Sequence, residues 1–241
     1  MHMRKALWIM ATTLATRPAK PGKVLRSGRS LAGRLPLLEN GDRLTLGDFM
    51  RRYEAMPEVN KAQLIEGIVH MPPPIRADAH SEPDGLIQLW LGLYSIYYPG
   101  LKVYPNTTLI LDADNAVQPD AVLCSSPVQG GRVWLDEKGY LHGAPDLVCE
   151  VAASSASIDL HTKFQVYRRN GVAEYLVWLT GEKVLRWFKL VEAEFVEQKP
   201  KRGVLVSTIF AGLVLDLKAL LRGDKVKLAA ALSPPGPHKA S

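Results

Sequence analysis

The sequence predicts an α/β (α+β) fold in which a mixed central β-sheet is flanked by helices. Three observations point there. Short strand-like apolar runs alternate with helical periodicities, yet no regular βαβ repeat orders them, as an all-parallel sheet would require. Hydrophobic residues make up 47% and charged residues 22% of the chain, the balance of a protein that buries a core in water. Its 241 residues suffice for one sizeable core and fall short of two once loose ends are set aside.

Taken in order, residues 1–40 mix Arg, Lys, Pro, Gly and Ser with few apolar anchors and read as a basic disordered arm. One continuous domain is expected over residues 41–228, and the proline-rich residues 229–241 read as a second loose tail. Thr45 is a natural N-cap for a helix over Leu46–Tyr53, where Leu46, Phe49, Met50 and Tyr53 recur at helical spacing. AQLIEGIVHM predicts a strand pair turning at Gly67. A long helix follows from Ala79 to Tyr98, with Pro83 in its first turn, where proline is tolerated. LKVY, TTLILD, VQPDAVLC and PDLVCEVA are four strand candidates, the last two separated by a Gly-rich loop. After the serine-rich ASSAS comes a helix from Asp159 to Asn170, stopped by Gly171. EYLVWL, KVLRWFKL and AEFVEQ read as successive antiparallel strands, and a last strand with the short helix LDLKALL ends the domain.

The formal net charge is +6, but residues 1–40 alone carry +7, so the remainder stands at −1. A basic total therefore says nothing about whether the domain itself grips a polyanion. Cys124 and Cys149 lie in or beside apolar runs, with no CxxC pair, which argues against structural zinc and for two buried thiols in a reducing cytoplasm. No apolar stretch reaches the roughly 20 residues that a membrane span needs. The first apolar run is broken by two threonines and closed by no A-x-A site, so export is not expected. Motifs for a nucleophilic serine (GxSxG), a phosphate loop (GxxxxGK[ST]), a zinc protease (HExxH) and a dinucleotide fold (GxGxxG) are missing.

What remains is an ordered set of polar residues. Pro119-Asp120 opens onto the apolar run AVLC, Glu150 ends the run DLVC, and Lys163 lies on the helix that follows. Two carboxylates on neighbouring strands can converge on one magnesium ion, which takes hard oxygen ligands and keeps waters. A lysine beside it is a compact positive charge for an attacking water or a phosphate. On residue type alone the alternatives stay open: Pro-Asp also makes turns, a strand-end Glu is often solvated, and a helix lysine often faces water. Ser154, Ser155 and Ser157 read as helix-capping residues. Trp178, Trp187 and Phe188 read as core or dimer packing rather than as a base-stacking platform, which would also need a basic groove.

The order QLIEG, His80, QPD, PDLVCEV, SS, then D-x-x-x-K-x-x-x-Y and GVAEY resembles the Uma-type family, catalogued as restriction endonucleases. The resemblance runs from about Leu44 to Leu220 and is densest from Pro145 to Trp178. It implies a restriction-endonuclease-like PD-(D/E)XK fold and a Mg2+ (or Mn2+) site that cleaves DNA. Asp120 and Glu150 would be the metal ligands and Lys163 the catalytic lysine. In the simplest form of the motif the lysine stands two residues after the second carboxylate. Ala152 occupies that place here, and Lys163 replaces it from the next helix, where it shares a face with Val166, Tyr167 and Asn170. The resemblance also makes Glu66 a further catalytic candidate and His80 a possible auxiliary. A homodimer acting on DNA is the expected assembly, because duplex cleavage needs two opposed cuts. The alternative is a non-catalytic binding or assembly module that retains the nuclease fold.

Overall fold

Local chemistry starts the first helix where the sequence predicts. The Thr45 hydroxyl accepts the Asp48 N–H at 3.2 Å, and α1 runs Leu46–Glu54. The computed structural model describes residues 35–72, 76–153 and 155–232. β1 (Gln63–Ile65) and β2 (Ile68–His70) form the expected hairpin, turned by Glu66 and Gly67 at φ 54° and 70°. Two successive left-handed residues are what a two-residue hairpin turn of this kind demands. A wide π-helical turn at Ala77–Ser81 leads into α2 (Glu82–Ile96). β3 (Leu101–Pro105) and β4 (Leu109–Asp112) follow.

The run VQPDAVLC, expected as one strand, is two. β5 ends at Val117 (Asn115–Val117) and β6 begins at Ala121 (Ala121–Ser125). Pro119 has no N–H to give a ladder, and the three residues between the strands carry the chain from one sheet to another. The expected loop beyond Ser125 also holds structure: β7 (Trp134–Leu135) and β8 (Leu141–His142) make a short hairpin. Asp136 organises its turn, its Oδ1 accepting the N–H groups of Lys138 and Tyr140 at 2.9 Å each.

β9 (Leu147–Ala152) is followed by a second π-helical turn at Ile158–Thr162 and by α3 (Lys163–Arg169), which stops at Gly171 with φ 78°. β10 (Glu174–Leu179), β11 (Val184–Val191) and β12 (Glu194–Glu197) are the expected consecutive antiparallel strands. β13 (Val204–Val206) and β14 (Val214–Asp216) pair with each other, and α4 (Leu217–Leu221) and α5 (Lys225–Ala231) close the described chain.

Two six-stranded mixed sheets result, where one central sheet was expected. The first has the order β2-β1-β5-β4-β8-β7 and the second β12-β11-β10-β9-β6-β3. In the second, β9 lies antiparallel to β6 and parallel to β10, with α3 in the crossover. Strand alternation sorts its side chains. Ala121, Leu123, Leu147, Cys149 and Val151 pack with α2, whose Leu86, Ile87, Trp90 and Leu91 share that core. Val122, Cys124, Val148 and Ala152 pack on the opposite side with Val166 and Tyr167 of α3 and with Ile65, Leu109 and Val117 of the first sheet. Phe49 of α1 covers the outer face of the first sheet on Leu64, Val69 and Ala116.

Trp178, Trp187 and Phe188 are core, as expected, and both cysteines are free and buried. The folded part exceeds the predicted 41–228: Leu38 and Leu232 are buried, and Leu38 N–H meets Met56 Sδ. The arm and tail readings for residues 1–34 and 233–241 lie outside the described residues. Among the described residues no helix is long and apolar enough to cross a membrane.

Candidate active site

The sheet switch places Asp120 at the joint between the two sheets. Pairing Ala121 with Cys149 puts Asp120 opposite Glu150 one step further along the β6–β9 ladder. Both positions alternate with residues that face α2, so they share the α3 side of the sheet. The Asp120 backbone is pinned twice, its carbonyl accepting Asn106 N–H at 2.9 Å and Gln88 Nε2–H at 2.6 Å.

Lys163 arrives from the first turn of α3. Its Nζ donates to Glu150 Oε1 at 2.8 Å and lies 3.2 Å from Asp159 Oδ1, one helical turn back. Tyr167 donates its hydroxyl to the same Glu150 oxygen at 2.7 Å. Ser155 donates to Asp159 Oδ2, and Tyr175 donates to the Asp159 carbonyl at 2.9 Å. The expected capping role therefore changes: Ser155 holds a carboxylate, Ser157 makes no side-chain cap, and Ser154 lies outside the described residues. Lys163, Glu150 and Asp159 are all nearly fully buried.

Asp120 has a different set of partners. Its Oδ2 accepts the Val151 N–H at 2.7 Å. Its Oδ1 lies 3.2 Å from Lys61 Nζ and 3.4 Å from His80 Nε2. Asp120, Lys61 and His80 line a cavity of about 760 Å³, together with Gln63, Glu150 and Lys163.

Thus Asp120, Glu150, Lys163 and His80 meet around one space. Glu66 does not join them. It sits in the β1–β2 turn, half exposed, and pairs with Arg169 on α3. Sequence reasoning missed Lys61 altogether, since it precedes β1 and is 59 positions from its carboxylate. Gln88 lay unremarked among the apolar positions of α2. The D-x-x-x-K-x-x-x-Y spacing did contain Asp159 and Tyr167, whose side chains now hold Lys163 and Glu150.

Electrostatics separates the two carboxylates. Burial pushes Asp120 up, but the His80 hydrogen bond and the Lys61 charge outweigh it and hold the group at about 2. Burial pushes Glu150 up to about 7, with the Lys163 ammonium opposing and Asp159 and Asp120 adding to the rise. Burial opposes charge on Lys163 as well, yet Glu150 and Asp159 raise it overall. The hydrogen bond to Asp120 raises His80.

Asp120 thereby becomes a source of stability. Because its folded value lies below the ordinary 3.8, its contribution is present above that pH and is lost as pH falls toward 2. A loss of about 2 kcal/mol is expected from this group. Urea denaturation from pH 5 to pH 2 should show it in the wild type, with a flatter profile in Asp120→Asn; parallel profiles would contradict it.

The donor set suits a hard divalent ion. Asp120 and Glu150 offer carboxylate oxygens, and only Oε1 of Glu150 is engaged by hydrogen bonds among the described residues. Among those residues no three His, Cys, Asp or Glu side chains converge as a complete metal cage. Magnesium asks for less, one or two carboxylates completed by water and phosphate oxygens.

No curated protein matches the chain. A solved structure described as "a putative nuclease belonging to DUF820 from Anabaena variabilis ATCC 29413" is similar in fold, with a TM-score of 0.59 at 16% identity. The match covers 74% of this chain and 98% of that one. A family match spans residues 48–218, from α1 to α4, and takes in both carboxylates and the lysine. The chain belongs to that family, Uma2, described as "Putative restriction endonuclease".

Proposed function

We propose that this protein is a divalent-metal-dependent endonuclease that hydrolyses DNA phosphodiester bonds. The observation that carries the reading is the meeting of Asp120 and Glu150, across adjacent strands, with Lys163 at 2.8 Å from Glu150 in one cavity. Asp120 and Glu150 would hold Mg2+ or Mn2+, which supplies polarisation of a phosphoryl oxygen and a more acidic water. Lys163 holds a proton-rich positive charge beside the scissile phosphate, aimed by Asp159, while Tyr167 fixes the Glu150 carboxylate. Gln88 and the Val151 N–H keep Asp120 from turning away. His80 is auxiliary, close enough to Asp120 to orient it. Glu66, tied to Arg169 in the β1–β2 turn, has no part in this reading.

In this reading the chain works in the cytoplasm as a homodimer, whose twofold axis would present two sites to opposed strands; light scattering would give the mass directly. Purified protein with magnesium or manganese should nick plasmid DNA, and Asp120→Asn should reduce nicking by on the order of a thousandfold or more. Equal activity in wild type and variant would reveal a contaminant and end the proposal. The −1 charge of residues 41–241 favours one second reading, a binding or assembly module that keeps the fold without hydrolysis. Manganese binding that depends on Asp120, with no nicking of single- or double-stranded substrates, would select it.

A further inference from the structure

The cavity contains a second lysine. Lys61 belongs to the segment ahead of β1, on the first sheet, and the fold alone brings it to Asp120. Its Nζ lies 3.2 Å from Oδ1, the oxygen that also faces His80 at 3.4 Å. Oδ2 is already committed to the Val151 N–H. Both oxygens of one expected metal ligand are therefore engaged by the chain's own donors.

The two lysines differ in freedom. Lys163 is locked between Glu150 and Asp159, with 4% of its side chain exposed. Lys61 has one ion pair among the described residues, keeps 20% of its side chain exposed, and stands outside any helix or strand. A carboxylate as buried as Asp120 is costly without a counter-charge. A compact ammonium on a flexible four-carbon stem can supply that charge and still leave.

We propose that Lys61 is a resident counter-ion, seated on Asp120 Oδ1 when no metal is bound and displaced from it when a divalent cation enters. The proposal rests on the reading above that Asp120 is a metal ligand. A divalent ion and an ammonium on the same oxygen repel strongly in a partly buried site. The ion must therefore evict Lys61, and the eviction lowers metal affinity. Released, Lys61 remains at the cavity wall as a positive charge within reach of a phosphate.

Calorimetric titration of Mn2+ into the full chain tests this at fixed pH and salt. Lys61→Met should bind Mn2+ roughly tenfold more tightly than wild type, because the competing charge is gone. Equal or weaker binding would overturn the displacement. A measurement on the wild type guards against a variant that folds poorly: acetylation of Lys61, read by mass spectrometry, should rise when Mn2+ is added. Unchanged or reduced labelling also counts against it. If the wild type binds no Mn2+, the metal-dependent reading fails and takes this proposal with it. If Mn2+ binds but neither Lys61 effect appears, only the displacement fails.

Discussion

Lys163→Met is expected to cost about 3–5 kcal/mol of stability and to abolish nicking, because it strips one cation from between two buried carboxylates. Glu150 and Asp159 are each nearly inaccessible, and Lys163 is the ion-pair partner of both. Methionine preserves the length of the stem, so lost packing contributes little and lost charge dominates. The deficit should depend on pH with a definite sign. Burial already holds Glu150 above its ordinary 4.5, at about 7, against the opposing ammonium. Removing that ammonium raises the group further. A raised acid binds more protons when folded than when unfolded, so stability falls as pH rises from about 4.5 through the folded value. The variant should therefore suffer most at pH 8 and recover partly near pH 5. Adding Glu150→Gln to it should restore stability non-additively, as expected for groups in one network. A deficit below about 1 kcal/mol at pH 8 would be that of a solvated lysine and would refute the buried arrangement.

Trp90→Ala should unfold the protein at much lower temperature, with a cost of about 3–5 kcal/mol for a fully buried indole. Trp90 meets Trp187 edge to face at 5.7 Å, and its Nε1–H donates to the Val214 carbonyl at 2.9 Å. One side chain thus ties α2 to β11 and to β14. A fall in melting temperature on the order of 10 °C is expected for a domain of this size. Trp90→Phe keeps a ring but leaves the Val214 carbonyl without its donor, so it should fall between the two. Activity should decline with α2, because Gln88 on that helix holds the Asp120 carbonyl. A melting temperature within a degree or two of wild type would show that α2 is held elsewhere.

How far the sequence reveals this molecule depends on how local each determinant is. Thr45, the Glu66-Gly67 turn and the Gly171 stop act within a few residues, so α1, the first hairpin and the end of α3 are readable directly. The apolar run that ends at Glu150 is local too, and it gives the strand that β9 forms. The single strand expected across VQPDAVLC is where local reading fails, because apolar residues on either side of Pro119 serve different sheets. The β7–β8 hairpin escapes notice for a related reason: its strands are two residues long, and an Asp136 turn does most of the organising. At the site, motif order already draws Asp120, Glu150 and Lys163 together as candidates, and the fold brings them to one cavity. Lys61 is not among those candidates, since its importance lies only in a contact between sheets.

The switch at Gln118–Asp120 also divides the cavity by origin. Asp120, Glu150 and Lys163 come from the residue before β6, from β9 and from the crossover helix, whereas Gln63 and His70 belong to the β1–β2 hairpin across the joint and Lys61 to the segment that leads into it. Floor and wall are thus separately encoded. Changes in the hairpin can reshape the mouth and alter what enters, while the spacing of the acidic pair, fixed by the β6–β9 ladder, stays as it is. A hairpin that loosens first in hydrogen exchange would open the chamber from one side and leave its floor intact.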